Sequence, residues 1–426
     1  MNHFFSWFLR VFLALAGAFL VSKPAWGQAP KEEIWRFHGY GTLGVAHSSE
    51  DSADYVAAPM KSEGPGKTRK WDPYLDSVIA LQADARFNSE WSAVIQGVVE
   101  RQFDQEVEPD LEWANVRYDV TPWVSIRAGR IALSTFMVSD YRKVGHSYPW
   151  VRPPAELYQL YGLTNSDGVD LIYRNSYGDV YHTAGMLYGR NEMEELDGAL
   201  QSPNMWSVYN RLEKGPWALH TSYTSTKLEY GDELNLLWDA YDRFGPPGEA
   251  VSDRYDGNGK WAEFMAVGLQ YDPGNWFVMG EWGMGDRQTA FDQRSAWYVS
   301  GGYRIGNVTP YATYARANGD HVEADGGLNP SRYPPEAAAT ARILNGFLDL
   351  SQNFTTPRQD TISVGVRWDV RPNISLKAQY DYVTPRDGSI GLFQNFGDFE
   401  SGAPPTSFAP PPDEADVVSL SVNFVF

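Results

Sequence analysis

The chain has 426 residues, enough for one large barrel or two to three ordinary domains. It contains no cysteine, which excludes a disulfide framework, a thiolate nucleophile and a cysteine-based metal site. Its net charge of −19 argues against nucleic acid as a partner. Aromatic residues make up 15%, with 16 Trp and 25 Tyr, a surplus that membrane–water interfaces accommodate because amphipathic rings sit well there.

In chain order, the first element is a secretory signal peptide over residues 1–27. Arg10 precedes an apolar run from Phe12 to Val21, and Ala25-Trp26-Gly27 is a small-x-small cleavage site. Cleavage between Gly27 and Gln28 leaves 33 basic against 54 acidic residues, a net charge of −21. This charge is compatible with loops facing an outer leaflet bridged by divalent cations, and equally with the simple solubility of long loops. The run is too short to span roughly 30 Å of hydrocarbon, and no later stretch reaches about 18 apolar residues. A membrane location for residues 28–426, read as one domain, would have to come from strands.

From there a pattern repeats: about ten residues alternating apolar and polar, then a turn. Sixteen such segments are predicted: Ile34–Ala46, Ser77–Phe87, Trp91–Gln102, Leu111–Val120, Trp123–Ala132, Asp167–Arg174, Val180–Arg190, Met205–Leu212, Trp217–Leu228, Trp261–Tyr271, Trp276–Gly285, Ser295–Ile305, Val308–Ala317, Asp360–Val370, Ile374–Thr384 and Asp416–Phe426. Their connections alternate strictly between short turns rich in Asn, Gly, Pro and Asp, such as Thr121-Pro122 and Gly306-Asn307, and longer loops. The longest are Ser48–Asp76, Leu133–Ser166, Glu229–Lys260, Asn318–Gln359 and Pro385–Ala415. A soluble domain rarely tolerates so many long loops, whereas an antiparallel transmembrane β-barrel with short periplasmic turns and long extracellular loops requires them. A hairpin hidden in Leu133–Ser166 or Asn318–Gln359 would raise the strand number to 18. Asp232–Arg243 and Ala337–Leu350 are predicted as short helices inside loops; the second would pack on the barrel rim or a neighbouring subunit, or act as a gate.

The alternation carries the chemistry of a lipid-facing wall. Ile374, Leu376, Ala378, Tyr380 and Tyr382 share one face, with Ser375, Lys377, Gln379 and Asp381 on the other. Ile362, Val364, Val366 and Trp368 stand against Ser363, Gly365, Arg367 and Asp369. Trp91, Trp123, Trp217 and Trp276 each follow a short turn directly, as a periplasmic aromatic girdle would. Trp113–Asp119, Trp261–Tyr271 and Val308–Ala317, which contains Pro310, have ambiguous parity. The chain stops on an alternating strand in which Val422, Phe424 and Phe426 share a face. That ending resembles the signal read by the outer-membrane barrel-assembly machinery.

No Gly-x-Ser-x-Gly, His-Glu-x-x-His or phosphate-binding glycine loop is present. The seven histidines are scattered, so neither metal nor cofactor is expected. His220 and Ser222 share a strand face with the His-x-Ser spacing of outer-membrane phospholipase, but their register points them into the lumen, where an outer-leaflet lipase could not use them.

The stretch Leu133–Ser166 holds Ser139-Asp140-Tyr141-Arg142-Lys143-Val144-Gly145 and Pro149-Trp150-Val151-Arg152-Pro153-Pro154. Together with Gly129-Arg130 before it, this resembles a group of proteobacterial porin-like proteins of the general-porin type, and strand number, loop order and terminal Phe extend the resemblance over residues 28–426. The resemblance implies homotrimers of 16-stranded barrels in the cell outer membrane, each with an inward-folded third loop that narrows a passage for small hydrophilic solutes. The loop itself offers Arg142, Lys143 and Arg152 with Asp140 and Glu156. The opposite wall offers Arg86, Arg127, Arg174, Arg367 and Lys377, interleaved with Asp84, Glu100, Asp170 and Asp381. Charges opposed across a narrow pore set a transverse field; alternatively Arg142 and Arg152 pair with wall carboxylates to hold the loop down. Passive diffusion is the expected function. A substrate-specific channel for sugars, organic acids or phosphate is the alternative, and a basic ladder on one lumen wall would favour it. A non-transport barrel, an adhesin or a lipase, is the rival class. Expected partners are outer-membrane lipid and lipopolysaccharide, the assembly machinery and two further copies of the chain.

Overall fold

Alternation with a period of two gives each strand an apolar and a polar face, and in hydrocarbon such strands satisfy their backbone groups only by closing into a barrel. The computed structural model has that architecture. It describes residues 34–57, 63–102, 105–193, 200–287, 294–319, 327–355, 357–394 and 412–426. The expected signal peptide with its Gly27–Gln28 junction lies outside them. Phe37–Phe426 forms one compact unit; of the N-terminal unit only Ile34–Arg36 is described, where the first strand begins.

Sixteen long strands build the barrel: β1 (Trp35–Ser48), β2 (Val78–Arg86), β3 (Trp91–Arg101), β4 (Val107–Thr121), β5 (Val124–Ala132), β6 (Asn165–Tyr177), β7 (Val180–Met193), β8 (Leu200–Lys214), β9 (Trp217–Lys227), β10 (Trp261–Tyr271), β11 (Trp276–Arg287), β12 (Arg294–Tyr303), β13 (Val308–Gly319), β14 (Gln359–Arg371), β15 (Ile374–Pro385) and β16 (Ala415–Val425). Each pairs antiparallel with its neighbours, and β1 pairs with β16 from Tyr40↔Val425 to Ser48↔Val417, which closes the ring. Neither Leu133–Ser166 nor 318–359 contributes a barrel hairpin among the described residues, so the strand number is 16. No described helix is long and apolar enough to cross a membrane.

On the strands the exposed apolar side chains share one face, including Leu81, Ile95, Val169, Val267, Ile362 and Leu420. Trp91, Trp123, Trp217, Trp276, Tyr303 and Trp368 are exposed at the short-turn end, where the girdle was expected. The three ambiguous strands each have a physical cause. In β4 the pairing jumps from Gln96↔Trp113 to Gly97↔Leu111, so Glu112 is the extra residue of a bulge and the parity flips across it. In β10 both faces are apolar: Met265, Val267 and Leu269 are exposed outward while Ala262, Phe264 and Ala266 are buried inward. In β13 Pro310 points outward beside Val366, and Tyr311 and Thr313 point inward.

At the closure, the Phe426 and Phe424 rings stack at 6.3 Å between centroids. They lie over Gly39 and Gly41 of β1, where any Cβ would collide with them. Outside the barrel, α1 (Asp232–Asp242), α2 (Pro246–Tyr255) and α3 (Pro335–Thr355) occupy two long loops. Trp238, Tyr241, Val251, Tyr255, Ala341 and Leu344 give these helices an apolar core of their own. The helix α2 had no counterpart in the sequence reading.

Because Val364 lies near the middle of the outward face of β14, Val364→Arg should cost about 2–4 kcal/mol of folding stability in vesicles, and Val370→Arg near the turn about 0–1 kcal/mol. A denaturant titration in lipid checks the depth dependence.

Candidate functional site: the loop-filled lumen

Residues 133–164 leave β5, turn into the barrel and return to β6. Pro149, Pro153 and Pro154 restrict the backbone, and small lumen-facing residues make room for it. Gly268, Gly283, Ala266 and Ala296 line the wall where Phe136, Met137 and Leu157 pack, all within one apolar cluster around the fully buried Leu157. Displacing water from the lumen obliges every polar group under the loop to find a protein partner, and the wall supplies them strand by strand.

On β9, Ser222 Oγ donates to Thr135 O at 2.5 Å. On β11, the Glu281 carboxylate accepts from Met137 N–H at 2.7 Å and from the Tyr158 and Tyr298 hydroxyls at 2.8 Å each. Trp150, 1% exposed, donates its indole N–H to Ser300 and Thr313 at 2.9 and 3.1 Å. Gln379 Oε1 accepts from Val151 N–H at 3.0 Å and Tyr311 OH at 2.8 Å.

The charged anchors are denser still. Arg152 forms a fork with Asp76 at 2.7 and 2.6 Å, reaches Asp381 at 3.2 Å and donates to Ser419 at 2.6 Å. Glu156 accepts from Gln359 Nε2 at 2.7 Å and from the Thr361 hydroxyl. Lys377 donates to the carbonyls of Gly145 and Trp150, and Arg367 to those of His146 and Tyr148 at 2.6 and 3.0 Å. Of the two readings the sequence left open for Arg152, the structure has the one in which it pairs with wall carboxylates: the loop lies directly on the wall at Arg367, Lys377 and Asp381, with no open gap between them. The reason is local, since loop carbonyls and a guanidinium deprived of water need those wall charges as partners.

Where the loop does not lie on the wall, polar side chains stay accessible. Asp140 is exposed and accepts from Ser134 Oγ at 2.5 Å. Arg142 turns back to Gly162 O at 3.1 Å. Arg127 forks onto Asp170. Arg86 and Arg174 are exposed, and Asp84 is bonded by Gln82 and lies 3.5 Å from His38. The Asp140 carboxylate is within electrostatic reach of Arg127, Tyr209, Arg211 and His220. Lys143 bridges Glu100 and Glu112, at 2.7 Å from each. Burial alone would depress that ammonium, and the two carboxylates more than reverse the effect, so it is held charged.

Sequence reasoning missed Asp76, Glu112, Glu281, Gln359, Tyr209 and Arg211, and placed Gln379 on the polar face without a role. For Glu281 a signal existed: a lone inward carboxylate between glycines 280 and 283 marks a wall that something else must cover. For Glu112 none did, because the bulge that turns it inward is set by pairing.

A closed barrel with an apolar, aromatic-rimmed outer face and an inner loop gripped by its wall has the architecture of an outer-membrane channel protein. Residues 13–397 match the family model described as Gram-negative porin, and the chain belongs to that family. It is a porin channel of the cell outer membrane. Among solved structures it is similar to an anion-selective porin of Comamonas acidovorans (10% identity, 92% of this chain and 99% of that one, TM-score 0.55). It is also similar to the trimer form of OmpT of Vibrio cholerae (12%, 92% and 100%, 0.52) and to the outer membrane channel DcaP of Acinetobacter baumannii (11%, 94% and 99%, 0.53). These likenesses concern the fold. No curated protein matches the chain.

Arg152→Met would strand Asp76 and Asp381 without their cation, and should cost about 3–5 kcal/mol of stability, read as a drop in the midpoint of heat-modifiable gel mobility. Glu156 tests the opposite sign. Burial raises its pKa, against the hydrogen bonds from Thr361 and Gln359. Its folded pKa thus exceeds the unfolded one, so the stabilisation is complete below the unfolded value and fades as pH rises through the folded value. Glu156→Gln should raise the thermal midpoint at pH 8 and leave it unchanged at pH 4.

Proposed function

We propose that small hydrophilic solutes and ions diffuse passively along the strip between the exposed edge of the inner loop at Asp140, with Ser134 beside it, and the wall from β2 to β8. One observation carries this reading. Beneath the loop Arg152, Glu156, Glu281, Lys377 and Asp381 are buried, whereas Asp84, Arg86, Arg117, Arg174, Arg211 and Asp140 keep accessible surface. With Asp140 on the loop and Arg127, Arg174 and Arg211 on the wall, the strip carries a transverse field that favours polar solutes. No cofactor and no chemical step is part of this reading; Ser222 is engaged with Thr135 and His220 is buried beside it.

A second reading has its own support. Arg86, Arg117, Arg127, Arg174 and Arg211 stand on one side of the lumen, a basic ladder suited to anionic solutes such as carboxylates or phosphate. Arg117, Arg127 and Arg211 are paired with Asp119, Asp170 and Glu213, which leaves Arg86 and Arg174 as the more available cations.

Around the channel we assign three roles by the same chemistry. Residues 1–27 are the signal peptide, cleaved before Gln28. Phe426, Phe424 and Val422 are the signal for the assembly machinery. The outward aromatic and apolar belts meet outer-membrane lipid and lipopolysaccharide, with three copies associating as a homotrimer.

Single-channel recording of the refolded protein in a planar bilayer, with reversal potential under a salt gradient, tests the main reading. Stepwise openings are expected, and Arg127→Ser with Arg174→Ser should move the reversal potential toward cations. A silent bilayer from folded protein would overturn passive diffusion.

A further inference from the structure

The Lys143 bridge is placed differently from the other loop anchors, and the inference drawn from it rests on the diffusion reading above. The other anchors hold the loop against the wall it covers. Lys143 instead reaches toward the strip, to Glu100 on β3 and Glu112 on β4, at 2.7 Å from both. The three side chains are 16%, 20% and 6% exposed, so the contact is close to sealed. It is also built from both sides. The bulge in β4 is what turns Glu112 inward, and the neighbouring Val144 packs against Tyr40, Val78, Ala80 and Val98, which fixes the loop just beyond the lysine.

Position along the passage follows from the pairing. Arg117 pairs with Arg127 and Asn115 with Gly129, and Glu112 lies further toward the long-loop end; Glu100 pairs with Val78 at the same end of β2. A solute entering from outside meets Lys143 before the arginines. The polarity is inverted there as well. At Asp140 the loop is negative and the wall positive; three residues on, the loop is positive and the wall negative.

We propose that Lys143, clasped by Glu100 and Glu112, is the outer gate of this channel and the residue that sets its ion preference. Closed, the clasp narrows the strip and offsets one of the two carboxylate charges at its mouth. Without the lysine, the passage widens and two carboxylates face the permeating ions, concentrating cations there.

The test is bilayer recording of wild type, Lys143→Met, Lys143→Arg and the triple variant Lys143→Met/Glu100→Gln/Glu112→Gln, each verified as folded by heat-modifiable mobility. Lys143→Met should raise low-salt conductance about twofold or more and shift the reversal potential toward cations. Lys143→Arg should restore the wild-type potential. The triple variant should keep the raised conductance and lose the cation shift. Simple loosening of the loop would raise conductance without moving the reversal potential, and that result would overturn the selectivity role. If wild type conducts and Lys143→Met matches it in both readouts, the gate is wrong and passive diffusion stands. If wild type is silent and Lys143→Met conducts, unaided diffusion through the wild-type strip is wrong and the clasp itself closes the passage, which supports the gate. If both are silent, the gate and the diffusion reading fall together.

Discussion

Everything in this molecule depends on one constraint: within hydrocarbon, a backbone N–H or C=O without a partner costs several kcal/mol. The ladder must therefore close, and the closing pair is β1 with β16. The two strands farthest apart in sequence must meet in register, and their outward faces are shaped for it. Gly39 and Gly41 leave the surface of β1 bare, and the Phe426 and Phe424 rings cover it. Aromatic rings over glycines give the last pair a register mark that hydrogen bonds alone lack, because every antiparallel register forms the same bonds.

The same constraint acts inside the barrel. A loop that folds into the lumen exchanges water for protein around its own carbonyls, and most of them need donors. Lys377 and Arg367 are used in this way: each spends its charge on loop carbonyls rather than on solute. Glu281 does the converse, collecting one backbone N–H and two hydroxyls. A wall of charged side chains is thus divided by burial without any change in composition, the part beneath the loop bonded to it and the part beside it keeping accessible surface. Arg152 with Asp76, Asp381 and Ser419 is the most connected of these fixings, and removing the arginine would leave two buried carboxylates without their cation.

How much of this was legible in the sequence follows from the range of each interaction. Strand existence was, because the period of two and the Trp residues after each turn are local; all sixteen predicted segments overlap a strand. Facing was legible wherever only one side of the strand is apolar. It failed where the lumen side is apolar too, as at Ala262, Phe264 and Ala266, since those residues answer to Phe136 and Leu157 more than a hundred residues away. The candidate charges were mostly identified as lumen residues, but their division into anchors and free groups was not legible. Whether Lys377 faces water or a carbonyl depends on the path of a loop 230 residues earlier, which no local pattern encodes.

The loop's short segment from Asp140 to Lys143 shows what that path achieves. A single rigid loop edge that was uniformly acidic would face a uniformly basic wall, and the field would point one way along the whole strip. Here the β4 bulge brings Glu112 inward opposite a lysine, so the field reverses within one turn of chain. In the passage proposed above, an ion attracted to the loop edge at one level would be repelled from it at the next and would have to cross the strip to proceed. A freely tumbling small solute can do so, whereas a long rigid dipole favoured at the first level is misaligned at the second. Selection by such a passage acts on size and flexibility as well as on the sign of charge, which a net charge of −19 spread over the whole chain could never specify.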